Sequence, residues 1–275
     1  MRKKLGVVPH VFVKPLVYGL GESGAKFEVE YADPATIAAR MRERLLDVAF
    51  LSPIDYALHA PDYSIVPGIG VSSPSGNRSL LLAFQEGLQK IQSVAVANAS
   101  TSDVVAARII LGENYQVNPT FVPLRSSSCL TVEAMLTRAD SALITGDESA
   151  LRKSPIKCAL DLTEEWNTLY HLPFVHGFWV ARSNILTSEE LCVLQESKDR
   201  GVNGLEEIAA EAAQHAGIDS EHVMRFLATL RFNLDGEDIK SIRELFRLAF
   251  YHGVLGEVPE MRFVDTGEES NLHFN

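Results

Sequence analysis

Several things are scarce in this sequence of 275 residues, and each shortage narrows the reading. Cysteine is rare: Cys129, Cys158 and Cys192 stand in no metal-ligand or redox spacing, and their odd number argues against a disulfide framework. Positive charge is short. Twenty-five Lys and Arg face 36 Asp and Glu, a net charge of −11, which disfavours nucleic acid and anionic membranes as partners. No apolar run reaches the ~18–20 residues that span a bilayer. The basic start Met1-Arg-Lys-Lys4 leads into an apolar segment broken by Pro9, His10 and Lys14, with no small-residue cleavage site after it. It therefore reads as a strand of the mature protein, and the protein as cytoplasmic. There is no G-x-x-x-x-G-K-[ST] loop and no G-x-S-x-G elbow. The eight histidines fall into no H-x-x-x-H or other ligand spacing, so no metal is expected. Gly19-Leu-Gly-Glu-Ser-Gly24 spells G-x-G-x-x-G, but it follows a helix and precedes a strand, the reverse of what dinucleotide binding requires. It reads as a turn.

What the sequence does contain is an alternation of strands and helices. With 46% hydrophobic residues and a mean hydropathy near zero, the chain is long enough for two cored lobes. Leu5–Val8 is a buried strand ended by Pro9, and Lys14-Pro15 opens a helix, which leaves residues 9–14 as a strand end facing a ligand. Strands follow at 26–31, 46–51 and 63–66. Between them lies a helix capped by Asp33-Pro34, with Ile37, Met41 and Leu45 on its apolar stripe, and then a short helix from Ser52-Pro53. This first lobe should hold a largely parallel sheet. Residues 74–79 are a polar break, read as a crossover. The second lobe has strands at 93–97, 120–123 and 141–145. Its helices start after Asn98–Ser102, at the cluster Ser126-Ser-Ser128, and at Asp161 or Thr163. The strand 172–182 returns to the first lobe. Four helices then follow at 188–202, 204–216, 220–232 and 235–252, before an extended tail. The lobes span 1–78 with 179–275, and 79–178, around a hinged cleft.

The chemistry on offer is a set of hydroxyls and free backbone N–H groups where strands meet helices. Ser52, Ser79, Ser100, Thr101, Ser102 and the turn Gly146-Asp147 all fall there, with Arg78 beside Ser79 and His10 at the first strand end. Taken singly, each Ser or Thr is first a helix cap. Gathered from both lobes, they could hold a small organic acid by helix N-termini, without Arg.

The chain resembles the chorismate dehydratases of the futalosine route to menaquinone, over nearly its whole length. The resemblance is carried by Asp161-Leu-Thr-Glu-Glu-Trp166, Leu172-Pro-Phe-Val175 and Trp179-Val-Ala-Arg182. Lys14-Pro-Leu16, Asp47-Val-Ala49, Ser52-Pro-Ile-Asp-Tyr56, Ala139-Asp140, Gly146-Asp147 and Leu230-Arg-Phe-Asn-Leu234 support it. The resemblance implies an α/β, two-lobe, periplasmic-binding-protein-like (type II) fold and a cofactor-free lyase that dehydrates chorismate to 3-[(1-carboxyvinyl)oxy]benzoate. Ser79 matches the family's cleft serine, and Ser52 and Ser102 match hydroxyl positions at helix starts. Two positions depart from the pattern. Where the family reads Ser-Tyr-Leu-Asn-x-x-Pro-Leu, this chain reads Pro9-His-Val-Phe12-Val-Lys-Pro-Leu16, so Phe12 replaces an Asn expected to touch the substrate. Asp103 stands where a second hydroxyl is usual, and its carboxylate would repel a bound carboxylate. The expected partner is a chorismate-like carboxylate. A binding protein without catalysis, or an enzyme for a different substrate, stand as the other readings.

Overall fold

The apolar runs read as strands assemble into two five-stranded sheets. A computed structural model describes residues 2–21, 26–124, 131–154 and 156–265. The first sheet contains β1 (Lys3–Val7), β2 (Phe27–Tyr31), β3 (Val48–Leu51) and β4 (Tyr63–Ser73). The second contains β5 (Leu80–Phe84), β6 (Ser93–Val96), β7 (Thr120–Pro123), β8 (Ser141–Thr145) and β9 (Ala159–Asp161); β10 (Phe174–Arg182) then rejoins the first. The helices are α1 (Pro34–Arg42), α2 (Pro53–Ala57), α3 (Thr101–Tyr115), α4 (Val132–Leu136), α5 (Gly146–Ala150), α6 (Leu162–Tyr170), α7 (Ser188–Asn203), α8 (Leu205–Ala216), α9 (Ser220–Leu227) and α10 (Gly236–Tyr251).

The strand orders are β2-β1-β3-β10-β4 and β7-β6-β8-β5-β9. In each sheet four strands run the same way, as a largely parallel sheet requires, and one runs against them. Three parallel strands are followed by one antiparallel strand, β10 in the first sheet and β5 in the second, with a further strand at the edge. Both antiparallel strands lie next to a crossing between the sheets, so the chain enters each sheet from the other side. All of β10 pairs in the first sheet, with Trp179 opposite Phe50, so a boundary at 178/179 falls inside a strand. The crossings are residues 74–79 and 171–173.

Capping works as the sequence suggests. Asp33, Ser52, Ser100 and Asp161 each accept a backbone N–H in the first turn of α1, α2, α3 and α6. Gly6 lets α1 and the segment after it close on β1, since a Cβ there would lie 2.4 Å from Leu46 and 3.2 Å from Ile37 of α1. Trp166, Trp179, Tyr56, Phe27, Phe174, Phe178 and Phe246 are the largest fully buried side chains.

Several local expectations need correction. Residues Val11–Val17 form a 3-10 helix containing Pro15, so helix begins before Lys14. Leu45 lies beyond α1 and is 50% exposed, because the helix stops at Arg42 and Arg44 turns left-handed. Helix α9 ends at Leu227, and Arg231 exchanges backbone hydrogen bonds with Ser72 instead of continuing it. Thr131 caps α4; the cluster Ser126–Ser128 lies outside the described residues, as do Gly24 and the tail beyond 265. The tail before that point is tied down, with Val264 N–H bonded to the Ile65 carbonyl. Among the described residues no helix is long and apolar enough to cross a membrane, and no group of three or more His, Cys, Asp or Glu could hold a metal ion.

Candidate functional site

The carboxyl ends of β1, β3 and β8 and the crossing at 74–79 converge on one narrow cavity. Val8, His10, Phe12, Phe50, Leu51, Ser52 and Asp55 line it from the first sheet's side, and Ser79, Ser100, Asp103, Thr145 and Gly146 from the second. His176 on β10 joins them. The free volume is only about 30 Å³, room for roughly one water. Phe12 does much of the filling. It is 6% exposed and lies between two imidazoles, its ring centroid 5.1 Å from His10 and 5.2 Å from His176.

The two sides meet closely at the first strand end. Gly146 has φ +59°, and a Cβ there would stand 2.3 Å from the His10 ring, so only glycine permits this approach. One residue on, the Asp147 carboxylate accepts the Val11 N–H at 2.8 Å. Asp147 therefore closes the start of the 3-10 helix from the opposite side. It faces an adjacent open groove of about 650 Å³ with Lys14 and Arg152, not the cavity itself.

The expected hydroxyls divide. Ser52, Ser79 and Ser100 line the cavity, whereas Thr101 and Ser102 stand behind its wall. Ser52 Oγ donates to Asp55 Oδ2 at 2.6 Å, Ser102 Oγ donates to Ser52 Oγ at 3.0 Å and accepts the Ile54 N–H, and Thr101 donates to Asp55. Ser100 and Asp103 form a reciprocal capping box on α3. Arg78 does not reach the cavity. Its side chain is exposed, its backbone N–H bonds Asp161, and it holds a left-handed conformation that turns it outward.

Electrostatically the cavity is unusual for an anion site. None of the lining residues is Lys or Arg. Burial pushes Asp103 up to about 6, with the Asp55 carboxylate adding to the rise, and burial raises Asp55 as well. Burial also lifts Asp147 to about 6, against the Val11 N–H and Lys14. His10 is lowered to about 4 by burial, and His176 to about 3 by burial and then by His10. Both imidazoles are therefore neutral at physiological pH.

His176 was not singled out by sequence reasoning. Its signal was there: it is the sole polar side chain in the run Phe174–Ala181. The site around it also uses Ser73 and Asn77, from the end of β4 and the crossing.

A family model described as menaquinone biosynthesis matches residues 3–251. The chorismate dehydratase of Thermus thermophilus is 24% identical over 262 residues, 90% of this chain and 96% of that protein. Among solved structures, a protein of Archaeoglobus fulgidus superposes with a TM-score of 0.74 at 18% identity, covering 92% of this chain and 98% of its own. A Candida albicans protein with the generic periplasmic binding protein fold gives 0.57 at 14% identity, covering 94% and 92%. The two-sheet architecture is thus periplasmic-binding-protein-like.

Proposed function

The chain belongs to the menaquinone biosynthesis family, and from that premise we propose that it is a hydro-lyase of the chorismate dehydratase type. The observation that carries the reading is Ser79, set in the cavity wall beside an imidazole at the crossing between the sheets. The Thermus relative supplies the candidate substrate. In the proposed reaction chorismate loses a ring proton and the neighbouring ring hydroxyl as water. The product is 3-[(1-carboxyvinyl)oxy]benzoate, and formation of the aromatic ring drives the step. The protein's task is orientation and stabilisation of developing charge, with no cofactor. The reaction would belong to the futalosine route.

A cavity of about 30 Å³ cannot admit such a ligand as it stands. Ligand pockets run to roughly 300 Å³ and more, so binding requires the two sides to part and Phe12 to shift. A dianion must also enter past Asp55 and Asp103, which suits a site whose carboxylates take up protons readily.

Phe12 favours a second reading, a binding protein for a cyclic or aromatic carboxylate that does not turn it over. A phenyl ring offers no hydrogen bond. Incubation of the purified protein with chorismate, followed by absorbance and chromatography, separates the two. Aromatic product supports the lyase. A thermal shift with chorismate and no product at high protein concentration sinks it and supports the second reading. Phe12→Asn should raise turnover by about tenfold or more if the missing amide limits the rate.

A further inference from the structure

The hydrogen bonds behind Ser79 can be followed proton by proton. The Ser79 backbone N–H, which can only donate, lies 3.2 Å from Asn77 Oδ1. This fixes the amide, with oxygen toward Ser79 and nitrogen away from it. Ser79 Oγ gives its own proton to the same oxygen at 2.6 Å. Asn77 Nδ2 then donates to Ser73 Oγ at 2.7 Å and to Thr229 Oγ1 at 3.3 Å, and Thr229 passes its proton to the Phe226 carbonyl. Ser73 Oγ, already accepting from the amide, has one proton to give. Its partner is His176 Nε2 at 2.7 Å. Nε2 is therefore an acceptor, and the ring proton of neutral His176 sits on Nδ1. Ser79 Oγ, its proton spent on Asn77, lies 3.3 Å from Nε2 and makes no hydrogen bond to the bare nitrogen, so the tautomer is set by Ser73 alone.

Both hydroxyls that approach His176 stand at Nε2, and Nδ1 has no hydrogen-bond partner among the described residues, which leaves Nδ1 for the cavity that the ring lines. Several other donors around the cavity are committed. Ser52 donates to Asp55, Ser79 to Asn77, and the Gly146 N–H to the Ser79 carbonyl at 3.0 Å. Phe12 and Phe50 have none. His10 stacks on Phe12, with Nδ1 3.9 Å from Asp147, too far for a hydrogen bond that would fix its tautomer.

We propose that His176 is the cavity's oriented hydrogen-bond donor, presenting Nδ1–H to an acceptor oxygen of a cyclic acid, and that Ser73 and Asn77 are positioning residues that fix its tautomer. The identity of the acid rests on the lyase reading; the tautomer does not. Long-range ¹H–¹⁵N spectra of protein labelled at histidine, with His176→Phe to assign the signal, test it directly. The expected result is a protonated Nδ1 and a bare Nε2 on His176, shifting toward the Nε2–H form in Ser73→Ala. A wild-type ring protonated at Nε2, or a ring indifferent to Ser73→Ala, overturns the proposal. Chorismate supplies the second arm. His176→Phe should lose about 10²–10³ in kcat/KM, and His176→Gln, which keeps an N–H, should lose less. Equal losses in both variants, each folded by circular dichroism, also overturn it. If the wild type neither binds nor converts chorismate, the lyase reading falls while the spectra still decide the role of His176.

Discussion

Two clusters of hydroxyls stand around the same cavity and are wired differently. At the starts of α2 and α3, Ser52, Ser100, Thr101 and Ser102 bond to one another, to helix N–H groups and to Asp55 and Asp103. That cluster closes on itself. At the crossing, Ser73, Asn77 and Ser79 hand their hydrogen bonds along a line that ends on the imidazole of His176. The first arrangement builds the wall. The second fixes the state of a group that a ligand can touch. Residue type does not separate them, since serines at strand ends make up most of both; what separates them is whether the last group in the chain of bonds is spoken for.

The contrast can be broken by mutation. Ser79→Ala should show the largest effect. It removes one of the bonds that orient Asn77, and turnover of chorismate should fall by about 10²-fold with little change in melting temperature. A Ser79→Ala enzyme that retains full turnover would put Ser79 with the wall cluster.

Asp103→Asn comes next and is read through pH. With its folded value raised to about 6 against roughly 3.9 unfolded, Asp103 favours the folded state when protonated. Its contribution is fully present below about pH 4 and is lost as pH rises through about 6. His10 and His176, both lowered, work in the opposite direction over the same range, so the comparison should be between variant and wild type. Relative to wild type, Asp103→Asn should gain roughly 3 kcal/mol in denaturant titrations between about pH 4 and pH 8. Wild-type affinity for benzoate should likewise rise as pH falls through about 6, and the variant should flatten that rise. A stability difference independent of pH would show that Asp103 titrates normally.

Ser102→Ala should have the smallest effect. Losing the bonds to Ser52 and the Ile54 N–H costs about 1 kcal/mol of stability, with turnover changed by less than about threefold. A large loss of turnover without loss of stability would move Ser102 into the second cluster.

Much of the fold was legible because its signals are local. Asp33-Pro34, Ser52-Pro53 and Asp161 announce helix starts through hydrogen bonds made within three residues, and alternating or apolar runs announce strands. The antiparallel places of β5 and β10 were not legible, because strand direction is set by partners far along the chain. The end of α9 was missed for the same reason: Arg231 leaves the helix to pair with Ser72, more than 150 residues earlier. At the site, Ser52, Ser79, Ser100, His10, Phe12 and Gly146 were reachable as residues at strand ends. Arg78 was misplaced because a single left-handed residue turns it to solvent.

Sequence alone determined the composition of the cavity's rim: acidic and hydroxyl-rich, with Phe12 where the resembling family carries an amide. Each of these belongs to a residue type at a local boundary, and local boundaries are written in the chain. Only the tertiary structure decided how those groups are spent. His176 lies 97 residues from Ser79 and 103 from Ser73, so no window of sequence contains the three together. Their hydrogen bonds exist because β10 returns to lie antiparallel beside β4, and that pairing makes an isolated histidine in an apolar strand the end of a proton-ordered line.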